Sequence, residues 1–493
     1  MLAMAATATA CSASTDANNN AGANNGSGPS TPGTADTSPF GWADFGQSGR
    51  VQTGHLEVPI DHADPSKGIF DLYVARHLAD PEQRIGSLLV NPGGPGFGGS
   101  DYAIYADSVY SKDLLDRFDI VGWDPRGTGL SEPAIDCIDD YDRYFTGLDI
   151  TPDTEADRTK IVDLAKEFSE LCVSKNKDII DYIGTNQAAR DIDSIRAALG
   201  EATISYFGFS YGSQLGAVWA TLFPDTVRAA ALDGAADPTA DGLELALQQS
   251  AGFEQALNTF LARCSGSATC AFHHDGDAEG AFDALMQRLD DTPIPTVEGR
   301  PDLTRGMALN GVAQAMYSES LWPDLEKALA DADRGDGAAM LQLMDDYFQR
   351  HDDGTWDNGL EAFQVISCAD SADRPTVAEE DASAAQFQEV APRFAPGDVG
   401  SYFCTFFPPA ADPVVSVTGK GAGAILVMGT TGDPATPLEG TRRMAQTLED
   451  GRLVVVKAEG HTGYLPDSCS GDVIDQYLID PVKNAPADES TCN

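Results

Sequence analysis

Three features that would place the 493-residue chain in particular classes of protein are missing or scarce. There is no run of about 18 apolar residues, the length that a transmembrane helix needs, so the sequence predicts no membrane-spanning segment. Basic residues are few, 31 Lys and Arg against 77 Asp and Glu. The formal charge of −46 argues against nucleic acid as a partner, because phosphate binding needs clustered cations. No two cysteines have the C-x-x-C spacing of zinc ligands, so no metal site is predicted.

The acidic excess has two explanations. It could attract substrates that carry an amine, or it could simply give the protein a soluble acidic surface. The second is the commoner cause of such a composition, so the charge alone does not identify a substrate.

The first 39 residues resemble an export signal followed by a tether. Residues 1–11 are mostly small and apolar and end in Ala10-Cys11, as a bacterial lipoprotein signal does. Residues 12–39 lack large apolar side chains, which predicts a disordered linker. No Lys or Arg precedes Arg50, although an export signal needs a basic start. Either the true leader begins upstream of Met1, which we expect, or Cys11 is incidental. The first alternative predicts a secreted or cell-envelope protein with membrane attachment through a lipid on Cys11.

Eight cysteines remain when Cys11 is set aside. An even number in an exported chain predicts disulfides. Many pairings are open, and proximity in sequence favours Cys137–Cys172, Cys264–Cys270, Cys368–Cys404 and Cys469–Cys492.

The order of strand-like and helix-like segments is typical of an α/β protein. Short β-runs alternate with helices up to residue 237 and again after residue 421, whereas residues 238–420 are mainly helical. We therefore predict a mostly parallel central sheet in one domain, residues 40–237 and 421–493. A large helical lid, residues 238–420, is inserted between the sixth and seventh strands.

A G-x-S-x-G motif marks the predicted nucleophile. Residues 208–212 read G-F-S-Y-G, after a predicted strand and before a predicted helix, with Ser210 at the centre. This strand–turn–helix context belongs to the nucleophile elbow of the α/β-hydrolase fold, in which flanking glycines allow a tight turn and expose the serine hydroxyl. The sequence thus predicts an α/β-hydrolase fold with Ser210 as its nucleophile.

A serine hydroxyl needs a base, and that base needs an acid to orient it. Among seven histidines only His461 lies just beyond the last predicted strand, and Asp433 ends the strand before it. The chain order Ser, Asp, His is that of α/β-hydrolases. Asp467 is the alternative acid, but it follows the histidine and fits that order badly.

The oxyanion of the reaction needs two backbone N–H donors. One is expected from Tyr211, directly after the nucleophile. The other is expected from the loop N-P-G-G-P-G at residues 91–96, where glycines let the backbone approach the substrate. We predict Gly94 for this donor, with Gly93 as the alternative.

Several motifs together resemble a known family. The loop at residues 91–96 is similar to the His-Gly-Gly-Pro-Gly loop of prolyl iminopeptidases, with Asn-Pro in place of the histidine. The whole of residues 40–493 resembles the secreted tripeptidyl aminopeptidases of actinobacteria, whose mycobacterial relatives include cell-envelope proteases and carboxylesterases. The resemblance rests on that loop and on residues 122–131, 208–212, 368–370 and 432–437.

This resemblance implies a serine exopeptidase that releases short peptides, tripeptides above all, from free N-termini, with esterase activity as a side reaction. It also implies that Thr436 supports the catalytic residues through a hydrogen bond. No metal or organic cofactor is needed for this chemistry. An aminopeptidase must hold the substrate ammonium, and the candidate lid carboxylates are Asp370 first, then Glu319 and Glu361.

Two rival functions use the same fold. A carboxylesterase for short-chain or lipid esters would need only a different lid, because one fold hosts many chemistries. An adhesion protein on an inactive hydrolase fold would have lost Ser, His or Asp, and all three are present.

Overall fold

The computed structural model describes residues 38–493. The predicted signal segment, residues 1–11 with Cys11, lies outside the described residues, and so does the predicted linker up to residue 37.

A ten-stranded sheet forms the centre of the described chain, in the order β1-β2-β3-β5-β4-β6-β7-β8-β9-β10. The first strands pair antiparallel, and from β5 to β10 every neighbouring pair is parallel. The mostly parallel sheet predicted from the sequence is therefore confirmed. The strands are β1 Ala43–Asp44, β2 Val51–Pro59, β3 Ile69–His77, β4 Gly86–Asn91, β5 Phe118–Trp123, β6 Ile204–Phe209, β7 Val227–Asp233, β8 Ile425–Gly432, β9 Gly451–Glu459 and β10 Ser490–Cys492.

The burial of the strands follows their place in the sheet. Every residue of β4, β5 and β6 is buried, as expected for parallel strands that helices cover on both faces. In β2 buried and more exposed residues alternate, because only one face of this antiparallel strand meets the core. The helices of this domain are α1 Asp101–Ile104, α2 Ala106–Val109, α3 Lys112–Arg117, α4 Glu155–Lys175, α5 Thr185–Ala198, α6 Tyr211–Leu222, α17 Leu438–Thr447 and α18 Cys469–Ile479.

The helical lid leaves the sheet after β7 and returns at β8, and these two strands are direct neighbours. In the sequence prediction β7 and β8 are the sixth and seventh strands. The structure adds one short strand, β1, at the start of the sheet, so each later strand has a number higher by one and the insertion follows the seventh strand. The lid helices are α7 Gly242–Gly266, α8 Ala278–Asp291, α9 Arg305–Met316, α10 Trp322–Asp333, α11 Ala338–Tyr347, α12 Gly359–Asp370, α13 Val377–Ala382, α14 Ala384–Val390, α15 Ala395–Asp398 and α16 Phe403–Phe406.

A segment of the predicted catalytic domain, helix α4, packs against the lid. Helix α4 falls within residues 40–237 of the predicted catalytic domain, and it packs on α16. The rings of Phe168 and Phe403 meet edge to face at 5.0 Å, and the Ser169 hydroxyl donates to the Phe403 carbonyl at 2.9 Å. Arg158 also pairs with Asp381 of the lid. The cover over the sheet is thus built from two separate parts of the chain.

All four expected disulfides form in the structure. Cys137–Cys172 ties the loop after β5 to α4, and Cys264–Cys270 closes the end of α7. Cys368–Cys404 joins α12 to α16, and Cys469–Cys492 joins α18 to β10. Such bridges are typical of an oxidising compartment. Among residues 38–493, no helix has the length and apolarity needed to cross a membrane.

Candidate active site

Ser210 occupies the turn between β6 and α6 in a strained conformation. Its φ of 55° and ψ of −127° are unusual for a residue with a side chain. The neighbouring glycines make this turn possible, because a Cβ at Gly208 would lie 2.2 Å from the Gly212 carbonyl oxygen. The predicted elbow geometry is therefore present, and it places the serine at the carboxyl end of β6.

His461 and Asp433 are joined directly. The Nδ1 atom of His461 lies 2.8 Å from Oδ1 and 3.0 Å from Oδ2 of Asp433. The same carboxylate accepts the backbone N–H groups of Ala435 at 3.0 Å and Thr436 at 2.8 Å. These bonds fix the carboxylate, which in turn fixes the imidazole with Nδ1 facing the acid. Asp467, the alternative acid, has no such contact with His461 in the structure.

Ser210 and His461 both lie beside the end of β7. The Ser210 N–H donates to the Asp233 carbonyl at 2.8 Å, and a Cβ on the next residue, Gly234, would lie 3.1 Å from Cε1 of His461. Nε2 of His461 is buried and has no hydrogen-bond partner among the described residues. This nitrogen is therefore free to accept a proton.

The glycine loop after β4 lies against the elbow. A Cβ at Gly93 would lie 2.8 Å from Cβ of Ser210 and 3.0 Å from the Tyr211 nitrogen. The Gly93 N–H already donates to Oδ1 of Asn91 at 3.0 Å, whereas the Gly94 N–H forms no hydrogen bond within the described part of the chain. Tyr211 is the first residue of α6, so its N–H has no acceptor within the helix. The geometry thus favours Gly94 over Gly93 as the partner of Tyr211 in an oxyanion hole.

Thr436 contacts both members of the acid–base pair. Its hydroxyl lies 3.0 Å from Oδ2 of Asp433 and 3.3 Å from Nδ1 of His461. The structure therefore places Thr436 where the family resemblance implies, as a further hydrogen-bonding partner of the pair.

Asp233 is a supporting residue that sequence reasoning missed. Its buried carboxylate accepts the N–H groups of Gly463 at 2.8 Å and Tyr464 at 2.7 Å, so it fixes the loop that carries His461. Burial raises the pKa of Asp233 to about 7. A signal for it was present, because Asp233 ends a buried strand in the same way as Asp433 does.

The lid contacts the histidine through Tyr317. The His461 N–H donates to the Tyr317 carbonyl at 2.9 Å, and the two rings meet edge to face with centroids 5.4 Å apart. The lid also covers the reacting groups: Ser210 is 6% exposed, Asp433 4% and His461 7%. The reaction centre is therefore enclosed.

Two of the three lid carboxylates expected to bind substrate are engaged elsewhere. Glu361 is buried and accepts the N–H of Cys137 at 2.6 Å, which fixes a loop beside a disulfide. Burial raises the pKa of Glu361 to about 7. Glu319 is partly exposed and pairs with Arg263. Both charges already serve local structure, so the contacts do not support the predicted amine-binding role of Glu361 or Glu319.

Asp370 lies closer to the nucleophile but is also satisfied. Its two oxygens accept the Thr185 N–H at 2.7 Å and the Thr185 hydroxyl at 2.5 Å, and that hydroxyl also contacts the Tyr211 hydroxyl. Burial raises the pKa of Asp370 to about 6. These contacts fit a residue that orients Tyr211 better than one that binds a substrate cation.

The arrangement has the parts that acyl transfer requires. The site combines a strained serine, an imidazole oriented by a carboxylate and two candidate N–H donors, and its reacting residues are buried. Within residues 38–493, no group of three or more His, Cys, Asp and Glu side chains is arranged to hold a metal ion.

Two family models match the chain. One describes the alpha/beta hydrolase fold and matches residues 86–274, and the other describes a TAP-like protein and matches residues 398–492. The two matched stretches contain Ser210 and the pair Asp433 and His461, respectively.

The curated relatives include enzymes of three kinds. The serine protease Hip1 of Mycobacterium tuberculosis is 35% identical over 87% of this chain and 85% of its own length. Carboxylesterase B of the same species is 33% identical over 89% and 86%. The tripeptidyl aminopeptidase of Streptomyces coelicolor is 29% identical over 89% and 82%. Among solved structures, the proline iminopeptidase of Mycobacterium smegmatis is similar with a TM-score of 0.33 and 14% identity, over 87% of this chain and 94% of that chain.

Proposed function

Since the chain belongs to the TAP-like family of α/β-hydrolases and is a serine hydrolase, we propose that it is an exopeptidase that releases short peptides, tripeptides above all, from free N-termini. The observation that carries this proposal is the covering of the reaction centre, where Ser210 is 6% exposed beneath the lid. A folded protein chain cannot reach such a site, whereas the end of a peptide can. The relatives named serine protease and tripeptidyl aminopeptidase support peptide as the substrate.

The proposed mechanism is acyl transfer in two steps. Oγ of Ser210 attacks the scissile carbonyl while Nε2 of His461 takes its proton, and Asp433 stabilises the imidazolium. The oxyanion accepts hydrogen bonds from the N–H groups of Tyr211 and Gly94. His461 then protonates the leaving amine, which departs and leaves an acyl-enzyme on Ser210. Water activated by the same imidazole hydrolyses this ester and frees the short peptide.

The proposal extends to location and partners. The four disulfides fit an oxidising compartment, and we propose that the enzyme acts outside the cytoplasm with a lipid on Cys11 as its membrane attachment. Peptides with a free N-terminus are the proposed partners, and nucleic acid is not expected. Mass spectrometry of the mature N-terminus tests the attachment. A mature chain that begins beyond Cys11 without a lipid would contradict it.

The test of the activity compares a tripeptidyl amide with its N-acetylated twin. Acetylation keeps the side chains and the scissile bond but removes the cation. Loss of a buried charge-assisted hydrogen bond costs roughly 1.5–3 kcal/mol, so kcat/KM should fall about tenfold to a hundredfold. Equal cleavage of both amides would contradict an exopeptidase that requires the free N-terminus.

A carboxylesterase is the second candidate, and the similarity to carboxylesterase B favours it. The same serine, histidine and oxyanion donors would hydrolyse an ester without an amine-binding group. A panel of short-chain esters, tripeptidyl amides, dipeptidyl amides and single-aminoacyl amides separates the two. Turnover of the esters with none of the amides would favour the esterase.

A further inference from the structure

A large apolar cavity lies where α4 and its preceding loop face the lid. It contains about 960 Å³ of space, part of it open to solvent. Aromatic side chains from both parts of the cover form much of its wall: Tyr144, Phe145, Tyr347, Phe348, Phe394 and Phe403.

Among the described residues that line the cavity, Asp398 is the only one with a charged side chain. It ends the short helix α15 and is 8% exposed. Its Oδ2 atom has no hydrogen-bond partner among the described residues. A buried carboxylate oxygen without a donor is costly, which suggests that a ligand supplies the missing partner.

No basic side chain of the structure serves as that partner. Arg393, five residues earlier, is the nearest cation in sequence, and it is already bonded to Glu254, Asp283 and Glu279. Burial raises the pKa of Asp398 to about 6, and the negative charge of Glu254 adds to this rise. The Ser250 hydroxyl is a hydrogen-bond partner of this carboxylate, but no basic side chain pairs with it among the described residues.

Two buried aromatic rings lie between this cavity and the catalytic histidine. Tyr347 is part of the cavity wall, its ring centroid lies 6.2 Å from that of Tyr317, and Tyr317 meets the His461 ring at 5.4 Å. Three extended residues span about 10 Å. The two ring-to-ring steps are thus of the same scale as a tripeptide that extends from the scissile bond to its N-terminus.

We propose that Asp398 binds the α-ammonium group of the substrate and that the aromatic cavity around it holds the N-terminal side chain. This inference rests on the proposed exopeptidase function and names its recognition residue. An ammonium supplies N–H donors to the free Oδ2, and nearby aromatic rings favour a cation. Asp398 replaces the three earlier candidates in this role. Both oxygens of Asp370 and of Glu361 already accept hydrogen bonds, and Glu319 pairs with Arg263, whereas Oδ2 of Asp398 has no donor.

The main test is Asp398→Asn, which keeps the size of the side chain and removes its charge. For a tripeptidyl amide with a free N-terminus, kcat/KM should fall about tenfold to a hundredfold. Turnover of a short-chain neutral ester should stay within about twofold, which also shows that the variant is folded. The control Asp352→Asn removes the same charge from an exposed position of the lid and should leave both substrates unaffected.

A second variant tests the cavity without changing Asp398. Ala313→Leu adds bulk to the wall of the cavity, so it should slow the free tripeptidyl amide more than the ester. If Asp398→Asn and Ala313→Leu both cleave the free amide like the wild type, the proposal is overturned.

Measurements on the wild type distinguish failure of the Asp398 proposal from failure of the proposed exopeptidase function. If the wild type prefers the free over the N-acetylated amide, and Asp398→Asn keeps that preference in full, the exopeptidase stands and Asp398 is not its amine site. If the wild type shows no such preference, the exopeptidase function itself has failed.

Discussion

Gly93→Ala should disable the enzyme while leaving it folded. A Cβ at this position would lie 2.6 Å from the Phe209 carbonyl oxygen and 2.8 Å from Cβ of Ser210, and the backbone φ of 106° disfavours any side chain. The neighbours are backbone and the nucleophile itself, so the glycine loop must move away. Such a shift takes the Gly94 N–H away from the oxyanion. Loss of one oxyanion donor costs about 2.7–4 kcal/mol, so kcat should fall about 10²–10³-fold.

Gly200→Ala is the matched control for this change. Gly200 also has a positive φ, of 75°, but nothing lies within 4 Å of its Cβ position. Both variants carry the backbone cost of about 1–2 kcal/mol, and only Gly93→Ala reaches the site. Steady-state kinetics on an ester and thermal unfolding should be measured for both. A Gly93→Ala enzyme with kcat within threefold of Gly200→Ala would refute the assignment of this loop.

Three further predictions follow from contacts around the site. Thr436→Val removes a hydroxyl bonded to Asp433, so kcat should fall about tenfold. The control Thr431→Val, at the exposed end of β8, should not change kcat, and equal kcat values for the two variants would contradict the role of Thr436. Because the pKa of Glu361 is raised to about 7 in the folded protein, its stabilisation is complete below about pH 4.5 and is lost as the pH rises through 7. Between about pH 4.5 and pH 7 the wild type should lose up to ~3 kcal/mol of unfolding free energy that Glu361→Gln does not lose. Urea unfolding midpoints of the two proteins that change equally with pH would contradict this. Replacing both Cys469 and Cys492 by Ser should lower the unfolding free energy by about 3 kcal/mol, and free thiols at these positions in the native protein would argue against the bridge.

The parts of the site that were predictable are those with local signals. The elbow around Ser210 has a strand before it, a helix after it and glycines that only a tight turn requires, all within ten residues. His461 and Asp433 were found in the same way, since each follows a strand in the order that the fold dictates. The four disulfide pairings could be predicted from sequence order, because each of these cysteines pairs with the next cysteine along the chain.

The lid was harder to predict because its contacts are long-range. Glu361 is held by Cys137, 224 residues away, so its sequence neighbourhood gave no hint of that bond. Helix α12 lies in the stretch predicted to be mainly helical, but its bounds could not be predicted, since most of its residues are buried and it therefore lacks an amphipathic period. The contact between helices α4 and α16 could not be predicted either, because it joins segments more than 200 residues apart in sequence.

The most direct test of the account is the mapping of the covalent intermediate. A fluorophosphonate forms a stable adduct with an activated serine, and peptide mapping of the labelled protein identifies that residue. We expect the adduct on Ser210, full labelling of Ser213→Ala, and neither labelling nor turnover in Ser210→Ala. Labelling that persists in Ser210→Ala, or an adduct that maps to another serine, would contradict the proposal that Ser210 is the nucleophile.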